Sequence, residues 1–446
     1  MTADAVTARL LEAGFDAADA ATRAALWRRT VAAFERHAGR GPRWTWFVPG
    51  RIEVFGKHTD YAGGKSLVAA VPRGFLVAAA ARDDGIVSVI DARWRDAADI
   101  DPRDDRRVFK GWSNYAAVTA RRLAANFPGA PLGADIVIAS DLPRAAGLSS
   151  SSALVVGLSL ALVRRAGIDG RPEWGASIRS GFDLAGYLGA VENGLAFGAL
   201  AGTHGVGTHG GSEDHNAILN ARPGRVSAFA YLPVRRLGDA EVLAAWKFIV
   251  MTSGVRADKA GSVRGRYNRA SLATSALLTL WRRAGGDEAD TLGAALAAPG
   301  REDALMAIAR QGLNDFTGEE LTRRLRHFLD EDARVLPALE AVRLGSAAAL
   351  GELAAASQRD ADRLLDNQID ETRQLAALAR ASGAFAACSF GAGFGGSVWA
   401  LAPAEMADDV AGRWYAAYRR AVTAPGEVEW FATRPAPGAV ELPGGQ

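Results

Sequence analysis

Cysteine is almost absent from this chain of 446 residues, since Cys388 is the only one. An internal disulfide is therefore excluded, and the composition is typical of a reducing compartment, so we expect a cytoplasmic protein. Long hydrophobic runs are also missing, because the longest smooth apolar stretch, Ala153 to Val163, falls short of the ~20 residues that a bilayer-spanning helix needs. We expect no secretory leader, because Asp4, Arg9 and Glu12 interrupt the apolar residues near Met1.

A dominant charge of one sign is missing as well. The chain carries 52 basic and 50 acidic residues, which give a formal net charge of +2. This balance leaves no electrostatic footprint for nucleic acid or an anionic membrane, and we predict neither as a partner. Hydrophobic residues make up 49% of the chain and charged residues 23%, which is the balance of a globular protein large enough for two or more domains.

The pattern along the chain predicts a mixture of helices and strands in two domains. Strand patterns occur at 44–55, 67–90, 136–139, 226–231, 246–252 and on both sides of a glycine loop in 384–403, and helical patterns occur at 1–40, 112–127, 152–166, 174–195 and 258–382. The charged segment 94–110 is predicted to be a solvated loop or edge, and the Pro- and Gly-rich tail 434–446 to be mobile. The pattern changes from strand-rich to helix-rich near 232–245, and we place the domains at 1–235 and 236–446.

The segment PRAAGLSSSSALV, from Pro143 to Val155, follows a predicted strand and precedes a predicted helix. Gly147 and its small neighbours allow backbone N–H groups to approach an anion closely, and Ser149 is a good N-cap for the helix. A helix N-terminus adds unpaired donors and about half a positive charge. The pattern favours a phosphate cradle, although a serine-rich turn before a core helix has the same composition.

Three segments, in this order, together resemble the galactokinase branch of the GHMP small-molecule kinases. PGRIEVFGKHTDYAGG (49–64) looks like the sugar-binding signature, the serine loop matches the pattern PxxxGLSSS, and SFGAGFGGSVWAL (389–401) is similar to the C-terminal glycine loop. The resemblance implies the α+β GHMP kinase fold, with two domains and the active site in the cleft between them. It also implies transfer of phosphate from ATP, with Mg²⁺, to the anomeric hydroxyl of galactose or a related monosaccharide.

The same resemblance assigns catalysis to Asp214 and Arg51. Asp214, in GGSEDHN, would be the base for the sugar hydroxyl, and Glu213 beside it is a competing candidate. Arg51 would keep the carboxylate ionised and offset charge on the transferring phosphoryl group. The plain structural alternatives are a helix-capping aspartate and a strand-end surface arginine.

Further site residues follow from the resemblance. The sugar-binding residues that it implies are Lys57, His58, Asp60, Gly211 and Tyr267. The residues that it implies for ATP are Gly147, Leu148, Ser149, Ser150, Ser151 and Ser152. Ser151 and Glu192 are the implied Mg²⁺ ligands, because this ion prefers oxygen ligands together with substrate phosphates.

Two departures from the galactokinase pattern bear on specificity. Lys57 stands where these kinases carry a glutamate that contacts the sugar's 6-hydroxyl. It would either pair with a protein carboxylate such as Glu53 or meet a substrate carboxylate, as in a uronic acid. The segment between Glu192 and Asp214 is longer than in the family and carries His204 and His209, which we interpret as a lid over the sugar.

These departures leave alternatives open beside a galactokinase-like enzyme. They are a kinase for a uronic acid or another modified sugar, a non-catalytic sugar sensor on the same fold, and a kinase for a non-sugar alcohol. The sequence does not indicate an oligomeric state.

Overall fold

The computed structural model describes residues 2–93, 96–257, 261–423 and 426–444. The parts of the sequence predictions that fall on 94–95, 258–260 and 445–446 lie outside these residues. The helices are α1 (Ala3–Ala13), α2 (Ala17–Ala38), α3 (Trp112–Asn126), α4 (Ser150–Ala166), α5 (Pro172–Ser177), α6 (Gly181–Asn193), α7 (Glu213–Asn220), α8 (Gly261–Arg283), α9 (Leu292–Ala295), α10 (Arg301–Ala309), α11 (Gly318–Arg343), α12 (Ala347–Arg363), α13 (Asp370–Ala381) and α14 (Ala407–Ala421). The strands are β1 (Trp44–Phe55), β2 (Lys65–Ala81), β3 (Val87–Asp91), β4 (Asp96–Ile100), β5 (Ala134–Ser140), β6 (Arg225–Ala230), β7 (Arg235–Glu241), β8 (Trp246–Thr252), β9 (Ala386–Phe390), β10 (Ser397–Pro403), β11 (Trp430–Thr433) and β12 (Val440–Leu442).

The first sheet, which has eight strands within the described residues, is organised around the long strand β2. Its main order is β12-β1-β2-β5-β3-β4, and β2 also pairs with β6, which pairs with β7. Residues 75–81 of β2 pair with β5, and residues 65–68 pair with β6. Only β3 and β5 run parallel among these described pairs. The loop 56–64, between β1 and β2, therefore lies at the β6 end of the sheet.

The second sheet has the order β11-β8-β10-β9, with antiparallel pairs throughout the described residues. One face packs on α13 and α14 through residues such as Met251 and Trp414. The other face packs on the end of the first sheet, where Ile52 and Leu67 share a core with Val250 and Trp399. This common apolar core holds the two parts of the chain together, so that the residues on either side of the cleft keep fixed relative positions.

Helix α4 crosses β1 and β2 on the first sheet and is buried on most sides. Ser149 is its N-cap, as the sequence predicted, but it has the left-handed φ of 59° and its side chain makes no capping hydrogen bond. Gly157 allows the close approach to the sheet, because a Cβ there would lie 2.7 Å from Cγ2 of Val77. No described helix, α4 included, has the length and apolarity needed to cross a membrane.

The C-terminal segment differs from its prediction. Val440–Leu442 forms strand β12 beside β1, and the N–H of Ala436 donates to the carbonyl of Ala70 at 2.8 Å. The predicted mobile tail is therefore wrong for the described residues up to 444, because Pro and Gly there shape turns between fixed contacts. The change from the first sheet to the second comes between β7 and β8. The predicted division at 235 and 236 falls at the first residue of β7, and it stays a prediction.

Candidate active site

Two cavities meet where β1, α4 and α7 come together, and they share three lining residues: Arg51, Asp214 and Ala392. The smaller cavity is also lined by Glu53, His58, Asp60, Tyr61, Ser152, Gly189, Glu192, Asn193, Gly210, Gly211, Glu213, His215, Tyr267 and Gly391. The larger cavity, of about 530 Å³, contains the serine loop. Both parts of the chain contribute to the smaller cavity, which agrees with the expected position of the site in the cleft between them.

Arg51 and Asp214 form the pair that the sequence predicted. Oδ1 of Asp214 lies 2.7 Å from Nε and 2.6 Å from Nη2 of Arg51, which is a two-pronged contact. Nη1 of Arg51 donates to the carbonyl of Gly147 in the serine loop. Burial alone would lower the pKa of Arg51, but the charge of Asp214, followed by those of Glu53 and Glu213, holds it above its ordinary value. The guanidinium therefore stays charged and connects the carboxylate to the serine loop.

The serine-loop residues divide between the two cavities. Gly147, Ser149, Ser150 and Ser151 line the larger cavity, as expected for a phosphate loop. Leu148 is buried in the core, and its carbonyl accepts the backbone N–H of Arg51 at 3.2 Å. It supports the loop from behind, whereas the sequence prediction placed it with the nucleotide-binding residues.

Ser152, and not the predicted Ser151, lies against Glu192. Oγ of Ser152 donates to Oε2 of Glu192 at 2.9 Å and lies 3.3 Å from Oδ2 of Asp214. The difference follows from where α4 begins. Because its first residue is Ser150 and successive side chains of a helix point about 100° apart, Ser152 points towards α6 while Ser151 lines the larger cavity.

The loop 56–64 and helix α8 bring three of the predicted sugar-binding residues to the smaller cavity. His58 has a left-handed φ of 58°, and its Nδ1 lies 2.9 Å from the hydroxyl of Tyr61. The ring of Tyr267 lies 5.1 Å from that of His58, centre to centre. Asp60 accepts the backbone N–H of Glu213 at 3.1 Å. The loop and α7 are thus hydrogen-bonded to each other beside the cavity.

Gly211, the fourth predicted sugar-binding residue, lines the same cavity. A Cβ at this position would collide with Oδ2 of Asp60 and lie 2.8 Å from the backbone N of Tyr61. The glycine is therefore required so that the segment before α7 can approach the loop 56–64, which we call the sugar loop.

Lys57, the fifth predicted sugar-binding residue, is not brought to the cavity. Its side chain is fully buried, and Nζ lies 2.6 Å from Oγ of Ser357, 3.2 Å from Sγ of Cys388 and 3.5 Å from Oε1 of Glu331. Burial alone would lower its pKa, but Cys388 and Glu331 outweigh that effect and raise it. Of the two sequence accounts, pairing with a protein carboxylate agrees with this geometry, although the partner is Glu331 and not Glu53.

Glu53 and Glu213 are two further buried glutamates that line the smaller cavity beside Glu192. The sequence named Glu213 only as a competitor of Asp214 for the base, and Glu53 only as a partner for Lys57. Oε2 of Glu53 accepts the N–H of Gly391, in the C-terminal glycine loop, at 2.7 Å. Neither carboxylate oxygen of Glu213 has a hydrogen-bond partner among the described residues, and Oε1 lies 3.7 Å from Nε of Arg51. Burial raises the pKa of both carboxyls, and for Glu213 the neighbouring Glu53 and Asp60 raise it further.

The Gly- and His-rich segment 198–211 is held by hydrogen bonds to two helices. The N–H of Val206 donates to the carbonyl of Glu192 at 2.8 Å. Asn268 of α8 accepts the N–H of His209 and donates to the carbonyl of Gly207, each at 2.9 Å. The side chains of His204 and His209 are exposed. Neither histidine lines the smaller cavity, so the interpretation of this segment as a lid with sugar-contacting histidines stays a prediction.

The larger cavity extends to the charged segment that the sequence predicted to be a solvated loop or edge, and β4 within this segment lies at the edge of the first sheet. Asp96, at the start of β4, accepts the indole N–H of Trp112 at 2.8 Å, and both line the cavity. Asp91, Arg93 and Tyr115 line it too. A dense run of Asp and Arg is typical of a solvated segment, so its composition did not indicate that it lines this cavity.

Comparisons with known proteins agree with this arrangement. The galactokinase galactose-binding signature matches residues 32–81, and the N-terminal and C-terminal domains of GHMP kinases match residues 114–190 and 338–420. Galactokinase of Chloroflexus aurantiacus is 33% identical over 390 residues, which cover 84% of this chain and 88% of that protein. Galactokinase of Streptomyces coelicolor is 30% identical over 392 residues, with 84% and 89% covered.

Solved structures show the same fold. Lactococcus lactis galactokinase complexed with galactose superposes with a TM-score of 0.77 at 22% identity, covering 94% of this chain and 100% of that one. Methanococcus jannaschii mevalonate kinase reaches a TM-score of 0.54 at 13% identity, with 89% and 99% covered. The predicted GHMP kinase fold is thereby confirmed. The chain belongs to the galactokinase family of the GHMP kinases, and it is an ATP-dependent sugar kinase.

Proposed function

We propose that the enzyme phosphorylates the anomeric hydroxyl of galactose or a close relative, with the sugar in the smaller cavity and ATP in the larger one. One observation carries the proposal: Arg51 and Asp214 line both cavities and lie against each other between them. A phosphoryl group that moves from ATP in one cavity to the sugar in the other must pass these two side chains.

The chain has a single cysteine, Cys388, which is free and buried. Because so little cysteine is typical of a reducing compartment, we propose a cytoplasmic location.

In the proposed reaction, Asp214 accepts the proton of the anomeric hydroxyl. The sugar oxygen then forms a bond to the γ-phosphorus of ATP, the bond from that phosphorus to the β,γ-bridging oxygen breaks, and ADP leaves with the electron pair. Arg51 holds the carboxylate of Asp214 with two N–H groups and offsets negative charge on the transferring group. Phosphoryl transfer depends mainly on such positioning and charge stabilisation.

The residues between the cavities fit a magnesium ion. Oγ of Ser152 lies within hydrogen-bonding distance of a carboxylate oxygen of Glu192 and of one of Asp214. Mg²⁺ prefers such oxygens together with water and substrate phosphates. We propose that Ser152 and Glu192 hold the ion, which when bound would neutralise phosphate charge.

A uronic acid is a weak candidate for the substrate. That alternative needed the ammonium of Lys57 to meet a substrate carboxylate, but Nζ points to Ser357 and Glu331 inside the protein. Arg51 is the only Lys or Arg that lines the smaller cavity in the described part of the chain, and its guanidinium is already paired with Asp214. The carboxylate of a uronic acid would therefore enter a pocket that is already rich in protein carboxylates, which would repel it.

The proposal is tested by measuring ADP release with ATP, Mg²⁺ and a panel of galactose, glucose and galacturonate. We expect turnover of galactose above that of glucose, and galacturonate at the level of the sugar-free control. Phosphorus and proton NMR of the product should show phosphate on the anomeric carbon. Phosphate on another carbon, or no sugar-dependent ADP release with any hexose, would refute the proposal.

A further inference from the structure

The smaller cavity has more negative than positive side chains. Its carboxylates are Glu53, Asp60, Glu192, Glu213 and Asp214, and Arg51 is the single Lys or Arg beside them among the described lining residues. The guanidinium makes short contacts with Asp214 and with the carbonyl of Gly147. Its short hydrogen bonds therefore go to Asp214 and Gly147, while Glu213 is reached only at 3.7 Å.

Glu213 is the carboxylate of this group that accepts no hydrogen bond from the described residues. The residue is 3% exposed, and both of its oxygens are buried without a hydrogen-bond donor in the described part of the chain. Its backbone N–H is used by Asp60, so the segment is fixed. Leaving a buried acceptor without a donor costs more than a typical hydrogen bond contributes. A donor supplied from the cavity would remove that cost.

The position of Glu213 relative to Asp214 indicates where such a donor lies. Nε of Arg51 is 2.7 Å from Oδ1 of Asp214 and 3.7 Å from Oε1 of Glu213. Both carboxylates therefore lie at the same end of the cavity. In the proposed reaction Asp214 faces the anomeric hydroxyl, so a sugar substituent bound beside it at Glu213 would be the one on the carbon next to the anomeric carbon.

We propose that the preferred substrate carries an ammonium group on the carbon next to the anomeric carbon, and that Glu213 is the residue that recognises it. The inference rests on the proposed function of the same site. An ammonium supplies donors and opposite charge together, and charge-assisted hydrogen bonds are about twice as strong as neutral ones. Burial, together with Glu53 and Asp60, raises the pKa of Glu213, so that a bound cation would restore its ionised form.

The test compares kcat/KM for 2-amino-2-deoxygalactose and galactose in the wild-type enzyme, Glu213→Gln and Glu241→Gln. Glu241 is a matched control, because it is an exposed carboxylate on β7 whose ion pair with Arg225 of β6 lies outside both cavities. We expect the wild type to favour the amino sugar and Glu213→Gln to lower that ratio by about tenfold or more. The ratio in Glu241→Gln should equal that of the wild type.

Wild-type measurements alone also decide the matter if Glu213→Gln fails to fold. With 2-deoxygalactose as a third sugar, we expect the order amino sugar, galactose, deoxy sugar. A wild type that favours galactose over the amino sugar, or an unchanged ratio in folded Glu213→Gln, would overturn the inference alone. Absence of turnover with all three sugars would overturn the proposed function and this inference with it.

Discussion

Two buried clusters of charge lie close together along the chain, one around Lys57 and one around Arg51, and they differ in how completely they are satisfied. Oε1 of Glu331 accepts the backbone N–H of Gly56 at 3.0 Å and the hydroxyl of Ser357 at 2.9 Å, and it lies 3.5 Å from Nζ of Lys57. In the Arg51 cluster, Glu213 has no hydrogen-bond donor among the described residues.

The comparison separates a structural use of charge from a functional one. The Lys57 cluster lines neither cavity, and it connects the sugar loop to α11, α12 and β9. The Arg51 cluster leaves acceptors facing a cavity that a ligand can enter. Lys57 therefore supports the loop 56–64, while the excess of carboxylates around Arg51 bears on the ligand.

The largest expected effect is on catalysis by the Arg51 cluster. Asp214→Asn removes the proposed proton acceptor but keeps the size of the side chain, and we expect kcat to fall by about 10²–10⁴-fold. The measurement is sugar-dependent ADP release with galactose and with the amino sugar.

Asp315→Asn is the control for this change, because Asp315 is exposed and its ion pair with Arg269 lies outside both cavities. Its kcat should match the wild type. Near-normal turnover by Asp214→Asn, in protein that unfolds at the wild-type temperature, would remove Asp214 from the role of base.

The next effect concerns stability in the Lys57 cluster. Lys57→Glu introduces the residue that the resemblance implies at this position, and it places a second carboxylate against the buried Glu331. We expect the free energy of unfolding, measured in urea, to fall by about 3–5 kcal/mol, since an uncompensated buried charge is left. Lys110→Glu makes the same charge reversal at an exposed position, and it should change stability by less than about 0.5 kcal/mol.

The same variant also tests the structural assignment of Lys57. If the ammonium only supports the loop, the ratio of kcat/KM between galactose and galacturonate should stay at its wild-type value in Lys57→Glu protein that remains folded. A stable Lys57→Glu enzyme with a new sugar preference would show that Lys57 acts on the substrate.

The two clusters should respond to pH with opposite signs. Burial alone would raise the pKa of Glu331, but Lys57, followed by His327 and Arg334, holds it below its ordinary value. Its contribution to stability is therefore present above the ordinary glutamate pKa and is lost as the pH falls towards the lowered one. Burial raises the pKa of Glu213, so the folded state holds that proton more tightly and loses stability as the pH rises above the ordinary value.

Urea unfolding of Glu331→Gln and Glu213→Gln between pH 4 and pH 8 measures this difference. At neutral pH we expect Glu331→Gln to be less stable than the wild type and Glu213→Gln to be more stable. From pH 8 down to pH 5 the Glu331→Gln difference should stay nearly constant, because the pKa of Glu331 is lowered, and it should shrink only below the ordinary glutamate pKa. The Glu213→Gln difference should shrink as the pH falls from the raised pKa of Glu213 towards the ordinary one, by at most about 1.4 kcal/mol for each pH unit. Differences of the same sign in the two variants would contradict the contrast between the clusters.

Much of the fold followed from the sequence, whereas helices α7 and α14 and several strands at sheet edges did not. The predicted strand at 44–55 and helix at 152–166 correspond closely to β1 and α4, because continuous apolar runs define buried central elements. Strand β7 (RRLGDAE) is charged and lies at an edge, and β12 is three residues long beside prolines. Such strands depend on their partner for stability and have little pattern of their own.

In the site, residue types followed from motifs, whereas side-chain directions did not. The pairing of β1 with β2 shifts register between Glu53 and Phe55. A bulge of this kind changes the face to which the following residues point, so the two-residue period cannot place Lys57. The sequence brought Arg51 and Asp214 together only through the family motif, because they come from separate elements.

The smallest predicted effect concerns the side-chain directions at the start of α4, where Ser152 lines the smaller cavity and Ser151 the larger one. Ser152→Ala removes the hydroxyl that lies 2.9 Å from Glu192, and we expect the Mg²⁺ concentration for half-maximal activity to rise about tenfold, since outer and inner ligands of a metal contribute on this scale. Ser151→Ala is the matched control, because its side chain lines the larger cavity. It should change the apparent KM for ATP more than the Mg²⁺ requirement. If Ser151→Ala alone raised the Mg²⁺ requirement, the ion would be held from the larger cavity, and the sequence assignment of Ser151 would describe the metal site better than the geometry of Ser152 does.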